Sequence, residues 1–345
     1  MELAMTVEAD LELDTLEGVG PVTKQKLHEA GIYSLMDLAA RGVGDVADCL
    51  NGDTAKAAEL INKSRAKLIE LNLLEKDFIS AKELYTRRKN IERISCGSKN
   101  LDDLLAGGIE TGAVTEFYGE FGSGKSQICH TLSVMVQQPH ESGGLEGGAI
   151  YVDTEGTFRP ERIAEIAEAR GFDSAAVLDR IIVAKAYNSA HQELIVRELG
   201  HLIEKSKIKL VVIDSAVAHF RAEYLGRGTL AERQQKLNKF MHTILRLAEI
   251  YGIAVVVTNQ VQAAPDFFFG DPTRAVGGHV VAHTSTYRIY LRKASKSRVA
   301  RMVDSPYHPE REVVFIINEK GVDDPSEDAP KRRGSSSDRK ADISA

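Results

Sequence analysis

Cysteine is scarce and scattered. The three, Cys49, Cys96 and Cys129, form no C-x-x-C pair, which excludes a disulfide framework and points to reduced thiols in a cytoplasmic protein. No apolar run approaches the roughly 20 residues that cross a bilayer, so no membrane partner is expected. Met1–Asp14 is acidic, which fits neither a secretory signal nor a transit peptide. No internal repeat is visible. His279 and His283 lie four apart, but the glutamate of H-E-x-x-H and a third ligand are missing, so no zinc site is expected there and His283 reads as a polar relay. Positive charge is also in deficit: Lys and Arg number 44 against 50 Asp and Glu, net −6. That argues against nucleic acid coating the whole surface and leaves the question to local patches. What remains is an ordinary composition, 43% hydrophobic and 27% charged over 345 residues, enough for one large α/β domain and a small second one.

The stretch Gly119-Glu120-Phe121-Gly122-Ser123-Gly124-Lys125-Ser126, followed by Gln127, fits G-x-x-x-x-G-K-[ST], the phosphate-binding loop. Its flanks are what that chemistry needs. Ala113–Tyr118 alternates apolar and polar residues as a strand does, and Gln127–Gln137 has helical apolar spacing. Strand, glycine loop and helix together aim backbone N–H groups and a positive helix end at a phosphate. In such a loop Lys125 reaches the β- and γ-phosphates and the Ser126 hydroxyl sits on Mg²⁺. ATP and Mg²⁺ are therefore the expected cofactors.

Four units follow along the chain. Residues 1–74 read as short helices: Val22–Ala30 behind Pro21 and closed by Gly31, Ser34–Ala40 with Ser34 as cap, and one or two more within Thr54–Leu74. The unit resembles a helix-hairpin-helix domain whose Gly18-Val19-Gly20 turn offers N–H groups to a DNA phosphate; it fits a protein-interaction or packing module equally. Residues 1–77 carry 15 acidic and 8 basic side chains, 8 − 15 = −7, which weakens the DNA reading. Residues 75–90 read as a linker. Its Phe78-Ile79-Ser80-Ala81 either tucks onto its own domain or adds to the sheet of another copy; such a head-to-tail contact builds rings or filaments. Residues 91–324 alternate strands (Ala149–Asp153, Ile181–Lys185, Leu210–Asp214, Ile253–Asn259) with helices (Pro160–Arg170, Gln192–Lys205, Leu230–Tyr251), predicting a mostly parallel sheet covered on both faces. Thr286–Leu291 and Glu312–Asn318 read as antiparallel additions. The tail, 325–345, is polar and low in apolar residues and is expected to be disordered.

Ligands of open α/β sheets bind at the carboxyl ends of the strands. Asp214 ends LVVID, where an acidic residue can hold Mg²⁺ through water. Asp153 and Glu155 follow the second strand; Glu155 is either a general base or a loop carboxylate, and Asp153 is the more structural of the two. Gln260 either senses a γ-phosphate or caps a strand end. Two following stretches carry the features of nucleic-acid loops. His219–Gln235 holds Arg221, Arg227 and Arg233, and Val261–Gly278 holds Phe267, Phe268, Phe269, Arg274, Gly277 and Gly278. Positive, glycine-rich loops with apolar side chains suit single-stranded DNA, although the three phenylalanines fit burial under the loop as well. Ser285–Arg301 adds a run of basic residues without an acidic one.

Taken together, GEFGSGKSQ, DTEGTFRPERI, LVVIDS, GRGTLAERQ, TNQV, FFFGDPTR and VGGHVVAH stand in the order and spacing of the RecA-type DNA recombinases. The resemblance is to the archaeal RadA branch and its eukaryotic relatives, and it covers Leu16 to Asp324. It implies a RecA-type P-loop ATPase core with a small all-α helix-hairpin-helix domain before it. The implied activity is DNA-dependent ATP hydrolysis that drives filament formation on single-stranded DNA, pairing with a homologous duplex and strand exchange in DNA repair. By the same resemblance Glu155 is the catalytic glutamate, Gln260 the γ-phosphate sensor and Arg162 the residue that stacks on adenine, with Arg159 in support. Arg221, Arg227 and Arg233 belong to the first DNA loop and residues 261–278 to the second. Phe78 and Ala81 match the polymerisation motif, and Asp304-Ser305-Pro306 resembles the segment that caps ATP from a neighbouring copy. Pro265 replaces the β-branched residue that eukaryotic relatives often place in the DNA stack. Partners implied are DNA, further copies of the chain and recombination mediators. The alternative is a paralogue that binds ATP and DNA and modulates strand exchange; a hexameric helicase of the same core would lack FFFGDPTR and the N-terminal unit.

Overall fold

A computed structural model describes residues 11–76, 78–226, 228–263 and 273–326. The N-terminal helices are α1 (Pro21–Glu29), α2 (Leu35–Ala40), α3 (Val43–Cys49) and α4 (Thr54–Glu70). Pro21 occupies the first turn of α1, where its missing N–H costs nothing, and Gly31 at φ +73° ends it. Ser34 Oγ accepts from Asp37 N (3.1 Å) to start α2, as the sequence predicts. Asp53 caps α4, which runs as one helix because Ala57, Leu60, Ile61, Ser64 and Leu68 keep one continuous buried stripe. The short α3 and the linker helix α5 (Ala81–Arg88) carry no strong apolar period and are not visible in the sequence. Ser80 caps α5, and none of its residues is buried.

In the core, β1 (Arg93–Ile94) and β2 (Ile109–Glu110) pair around α6 (Lys99–Leu104). Then come β3 (Ala113–Gly119), α7 (Lys125–Met135), β4 (Gly148–Asp153), α8 (Pro160–Ala169), α9 (Ser174–Asp179), β5 (Ile181–Lys185) and α10 (Ser189–Lys205). They are followed by β6 (Ile208–Asp214), α11 (Ala218–Glu223), α12 (Leu230–Tyr251) and β7 (Ala254–Asn259). After the small ladder of β8 (Val261–Ala263) and β9 (Thr273–Ala275) come α13 (Gly278–Thr284), β10 (Tyr287–Ala294), β11 (Ser297–Asp304), β12 (Glu312–Asn318) and β13 (Gly321–Asp323). Among the described residues the main sheet has nine strands, ordered β13-β12-β11-β10-β3-β7-β6-β4-β5.

The five pairings from β10 to β5 are parallel; β11, β12 and β13 add on antiparallel. This corrects one expectation: β10 is not an antiparallel addition but lies parallel to β3, with Tyr287 opposite Thr115. Only beyond the tight turn at Ser295 (φ +55°) does the direction reverse. Along β6 and β7, Leu210, Val212, Ala254 and Val256 face one core while Val211, Ile213, Val255 and Val257 face the other. Burial on both faces explains why these strands read as unbroken apolar runs.

The second of those cores continues into the N-terminal helices, joining Leu35, Leu38 and Ala39 to Val196, Leu199, Met241 and Ile244. Asp37 is the polar centre of this junction. It accepts from Tyr33 N (3.0 Å) and Tyr251 O–H (2.9 Å). It sits against Gly200, where a Cβ would lie 1.8 Å from Asp37 Oδ1. Arg41 Nη2 donates to Gly31 O (2.6 Å) and Arg197 O (2.5 Å), and Arg246 Nε to Ala40 O (2.8 Å).

Burial raises the Asp37 carboxyl above its ordinary range. Desolvation in the adjoining cleft, helped by Asp37, pushes Glu204 up to about 7. Glu204 bonds Ser34 Oγ (3.1 Å). The residue keeps solvent-exposed surface, so water screens part of this effect. Carboxyls raised in the docked state favour docking at low pH, and the junction weakens as pH climbs through about 7. Hydrogen exchange at the Leu35–Ala40 amides, corrected for intrinsic rate, should therefore lose protection between about pH 4.5 and 7. Glu204→Gln should flatten that dependence.

Candidate functional site

The loop from Gly119 to Ser126 is shaped before any ligand enters. Gly119 packs so tightly on β10 that a Cβ there would lie 2.1 Å from Leu291 O. Gly122 (φ +75°) and Gly124 (φ +108°) take backbone conformations that side chains resist. Gly124 begins α7 with no side-chain cap, leaving the first amides of this helix available to an anion. Ser123 Oγ is buried with no hydrogen-bond partner among the described residues. Lys125 Nζ donates to Gly119 O and Glu120 O, both at 2.9 Å; burial lowers its pKa, with Asp214 and Glu155 opposing.

Apart from Ser123, which is buried behind it, the loop lines a cleft of about 450 Å³. Gly119, Glu120, Phe121, Gly122, Gly124, Lys125, Ser126, Gln127, Glu155, Asp214 and Gln260 all face it, bringing most of the predicted nucleotide residues together. Gln260 Nε2 reaches Glu155 Oε1 at 3.1 Å and Oε2 at 3.4 Å. Asp153 accepts from the backbone of Glu155 (3.2 Å), Thr157 (3.0 Å) and Phe158 (3.1 Å), so it folds the turn that presents Glu155. Asp214 is buried and accepts from three hydroxyls: Tyr151 (2.7 Å), Thr157 (3.3 Å) and Thr258.

Arg162 and Asp304 do not line the cleft. Arg162 touches its rim through Gln127 Oε1 (2.9 Å) and is otherwise held by Glu165 and the Asn318 carbonyl. Arg159 spends its guanidinium on Gly156 O and Phe158 O. Asp304 lies at the end of β11, two strands from the loop. Sequence reasoning missed Thr157, Val261, Arg298 and Ile317 as lining residues. Arg298 carried a signal, its charge, but it reads as one of a basic run; here its Nε donates to Gly122 O (3.1 Å).

Three of the remaining basic residues of Ser285–Arg301 are paired with acids. Arg288 is bound to buried Glu116, Arg292 to Glu312 and Arg301 to Glu310. The partners sit on β3, on β12 and in the β11–β12 connection, which the run itself could not reveal.

Of the two stretches read as loops, His219–Gln235 is largely helical, within α11 and the start of α12. Arg221 is exposed on α11 beside Asn259, Gln260 and Val276. Arg233 lies in the first turn of α12, its Nε buried and unpartnered among the described residues. Arg227 and Phe267–Phe269 lie outside the described residues, and of Arg274 only the backbone is described, opposite Gln262. Asn259 ties both ends of the second stretch: its amide donates to Glu116 (2.8 Å) and Val276 O (2.6 Å) while its Oδ1 accepts from Gln260 N (2.8 Å). Gly277 (φ +89°) and Gly278 then start α13. Away from the cleft, Phe78 is 94% exposed and Ala81 opens α5.

Gly119→Ala should test the close packing of the loop. The added methyl must displace a strand carbonyl, for roughly 1–3 kcal/mol of lost stability, visible as a lower melting temperature with or without nucleotide.

Residues 87–325 match the model of the Rad51 family. The chain is 53% identical over 324 residues to the DNA repair and recombination protein RadA of Cenarchaeum symbiosum, covering 94% of this chain and 81% of that protein. It is 50% identical over 315 residues to the protein of the same name from Aeropyrum pernix, covering 91% and 97%. On this cover and identity, the chain belongs to the Rad51 family.

Proposed function

We propose that this chain is an ATP-dependent DNA recombinase, which assembles on single-stranded DNA, pairs it with a homologous duplex and exchanges strands during repair. The observation that carries the reading is the convergence of the glycine loop, Asp214 and the Glu155–Gln260 pair on one cleft, from which Gln260 leads directly into the second stretch. The uncapped start of α7 fits a phosphate chain. The hard oxygen donors Ser126 and Asp214 fit Mg²⁺, the latter through water.

Lys125 would exchange its two carbonyl partners for phosphate oxygens, and Glu155 would accept the proton of the attacking water. Bound Mg²⁺ would supply charge neutralisation at the phosphates. Gln260 would leave Glu155 for the γ-phosphate and so tie the second stretch to nucleotide state. Arg162 and, from a neighbouring copy, Asp304 would enclose the adenine end. Arg221, Arg227, Arg233, Phe268, Arg274, Gly277 and Gly278 would meet DNA, with homology read by base pairing. The Gly18–Gly20 turn would add a duplex contact.

Assembly would use the exposed Phe78 with Ala81, docking on another copy to give a ring or filament. The sheet offers a free edge for this in β5, where Val183 is exposed.

Joint-molecule formation tests the function. With single-stranded DNA, a homologous supercoiled duplex, ATP and Mg²⁺, this protein alone should form joints that a heterologous duplex does not support and Lys125→Ala abolishes. ATP hydrolysis without joints would move the reading to a modulator of strand exchange. Glu155→Gln should slow hydrolysis and still allow ATP-driven assembly. For the docking role, Phe78→Glu should give monomers by light scattering with nucleotide binding intact; unchanged assembly would remove Phe78 from the interface.

A further inference from the structure

We infer that Tyr151 is a positioning residue for Asp214, and that with Thr157 and Thr258 it forms a cradle of three hydroxyls that orients this carboxylate for a metal-bound water. The inference rests on the ATP and Mg²⁺ reading above. Tyr151 lies on β4, beside β6, with Asp153 and Asp214 in register at the strand ends. From its fully buried position it donates its O–H to Asp214 Oδ2. Thr157 donates to the same oxygen, and Thr258, on the other neighbouring strand β7, donates to Oδ1. An ionised carboxylate offers about four acceptor positions. Three hydroxyls leave about one, and donors on both oxygens oppose rotation of the group. Hydroxyls also do this without neutralising the charge that would attract the cation.

The Tyr151 ring is itself held in place. His130 stacks on it (centroids 5.6 Å apart, planes at 26°) and Phe158 packs at 4.9 Å. Neither ring nitrogen of His130 has a partner among the described residues, and burial lowers its pKa to about 4. It is thus a neutral packing surface at ordinary pH, adding no countercharge beside Asp214. In the sequence Tyr151 sits inside AIYVD and reads only as an apolar strand residue.

Mn²⁺ serves as the probe, titrated by electron paramagnetic resonance into the full chain bearing a non-hydrolysable ATP analogue. Tyr151→Phe and Thr258→Val each remove one hydroxyl while keeping the shape. Both should weaken Mn²⁺ binding roughly tenfold, the size expected when a ligand loses a hydrogen-bond partner. Analogue affinity without divalent ion should stay within about twofold of wild type by the same argument, and Thr258→Ser should restore Mn²⁺ binding. Unchanged Mn²⁺ affinity in both folded variants would overturn the inference. So would an equal loss of analogue affinity with and without metal, which would make Tyr151 a packing residue. If the wild-type chain binds neither analogue nor Mn²⁺, the ATPase reading itself fails and this inference falls with it.

Discussion

The in-register parallel ladders joining β3, β7, β6 and β4 set the level at which four strands end. Tyr118 lies opposite Asn259, and Asp153 opposite Asp214. A shift of one residue in any of these pairings would turn its side chains to the other face. The glycine loop, Glu155, Asp214 and Gln260 would then no longer share a cleft. The apolar runs that fix this register are buried on both faces, so the energy that holds the sheet also holds the site. Helix α7 contributes the other constraint: it must begin at Gly124, where no side chain competes for its amides.

Beneath the cleft lies a second, quieter arrangement. Glu116 is wholly buried on β3 and ion-paired to Arg288 at 2.6 Å, with Asn259 completing its shell. Burying such a pair costs desolvation that good geometry offsets. Here the pair joins β10 to β3, and Asn259 extends it to β7, so the three central strands are linked. Through Asn259 it also reaches Val276, where the second stretch returns to the core. The cleft and the base of that stretch therefore share one platform.

Much of this was legible in the sequence, for identifiable reasons. The phosphate loop is local, with its strand, glycines and helix contiguous, and α12 matches Leu230–Tyr251 because its apolar stripe is long and unbroken. Family membership was readable because seven motifs fall in order over most of the chain. Features set by pairing across strands were hidden. Tyr151 and Thr258 look like ordinary strand residues until register sets them beside Asp214. Arg298 looks like one charge of a run until β11 carries it to Gly122. Strand β11 itself was missed because Arg298 and Arg301 fall in a basic run that resembles a solvated segment, and β10 took the wrong direction because strand orientation is decided by the connection before it. The roles of Arg227 and Phe268 were argued from residue type and from the family resemblance, and both lie beyond the residues described.

The shared core between the N-terminal helices and the sheet has a consequence for how the chain can be cut. Leu35, Leu38 and Ala39 are wholly buried, and they belong to the same apolar body as Val196, Leu199 and Ile244. A truncation that begins after α4 would thus bare a greasy strip along α10 and α12, with the Gly200 notch and the Tyr251 hydroxyl stripped of their cover. Such a fragment should be sticky at micromolar concentration, and its self-association would come from that wound rather than from the surface bearing Phe78. An isolated core that begins at the linker is for this reason a poor stand-in for the whole chain in any assay that counts subunits.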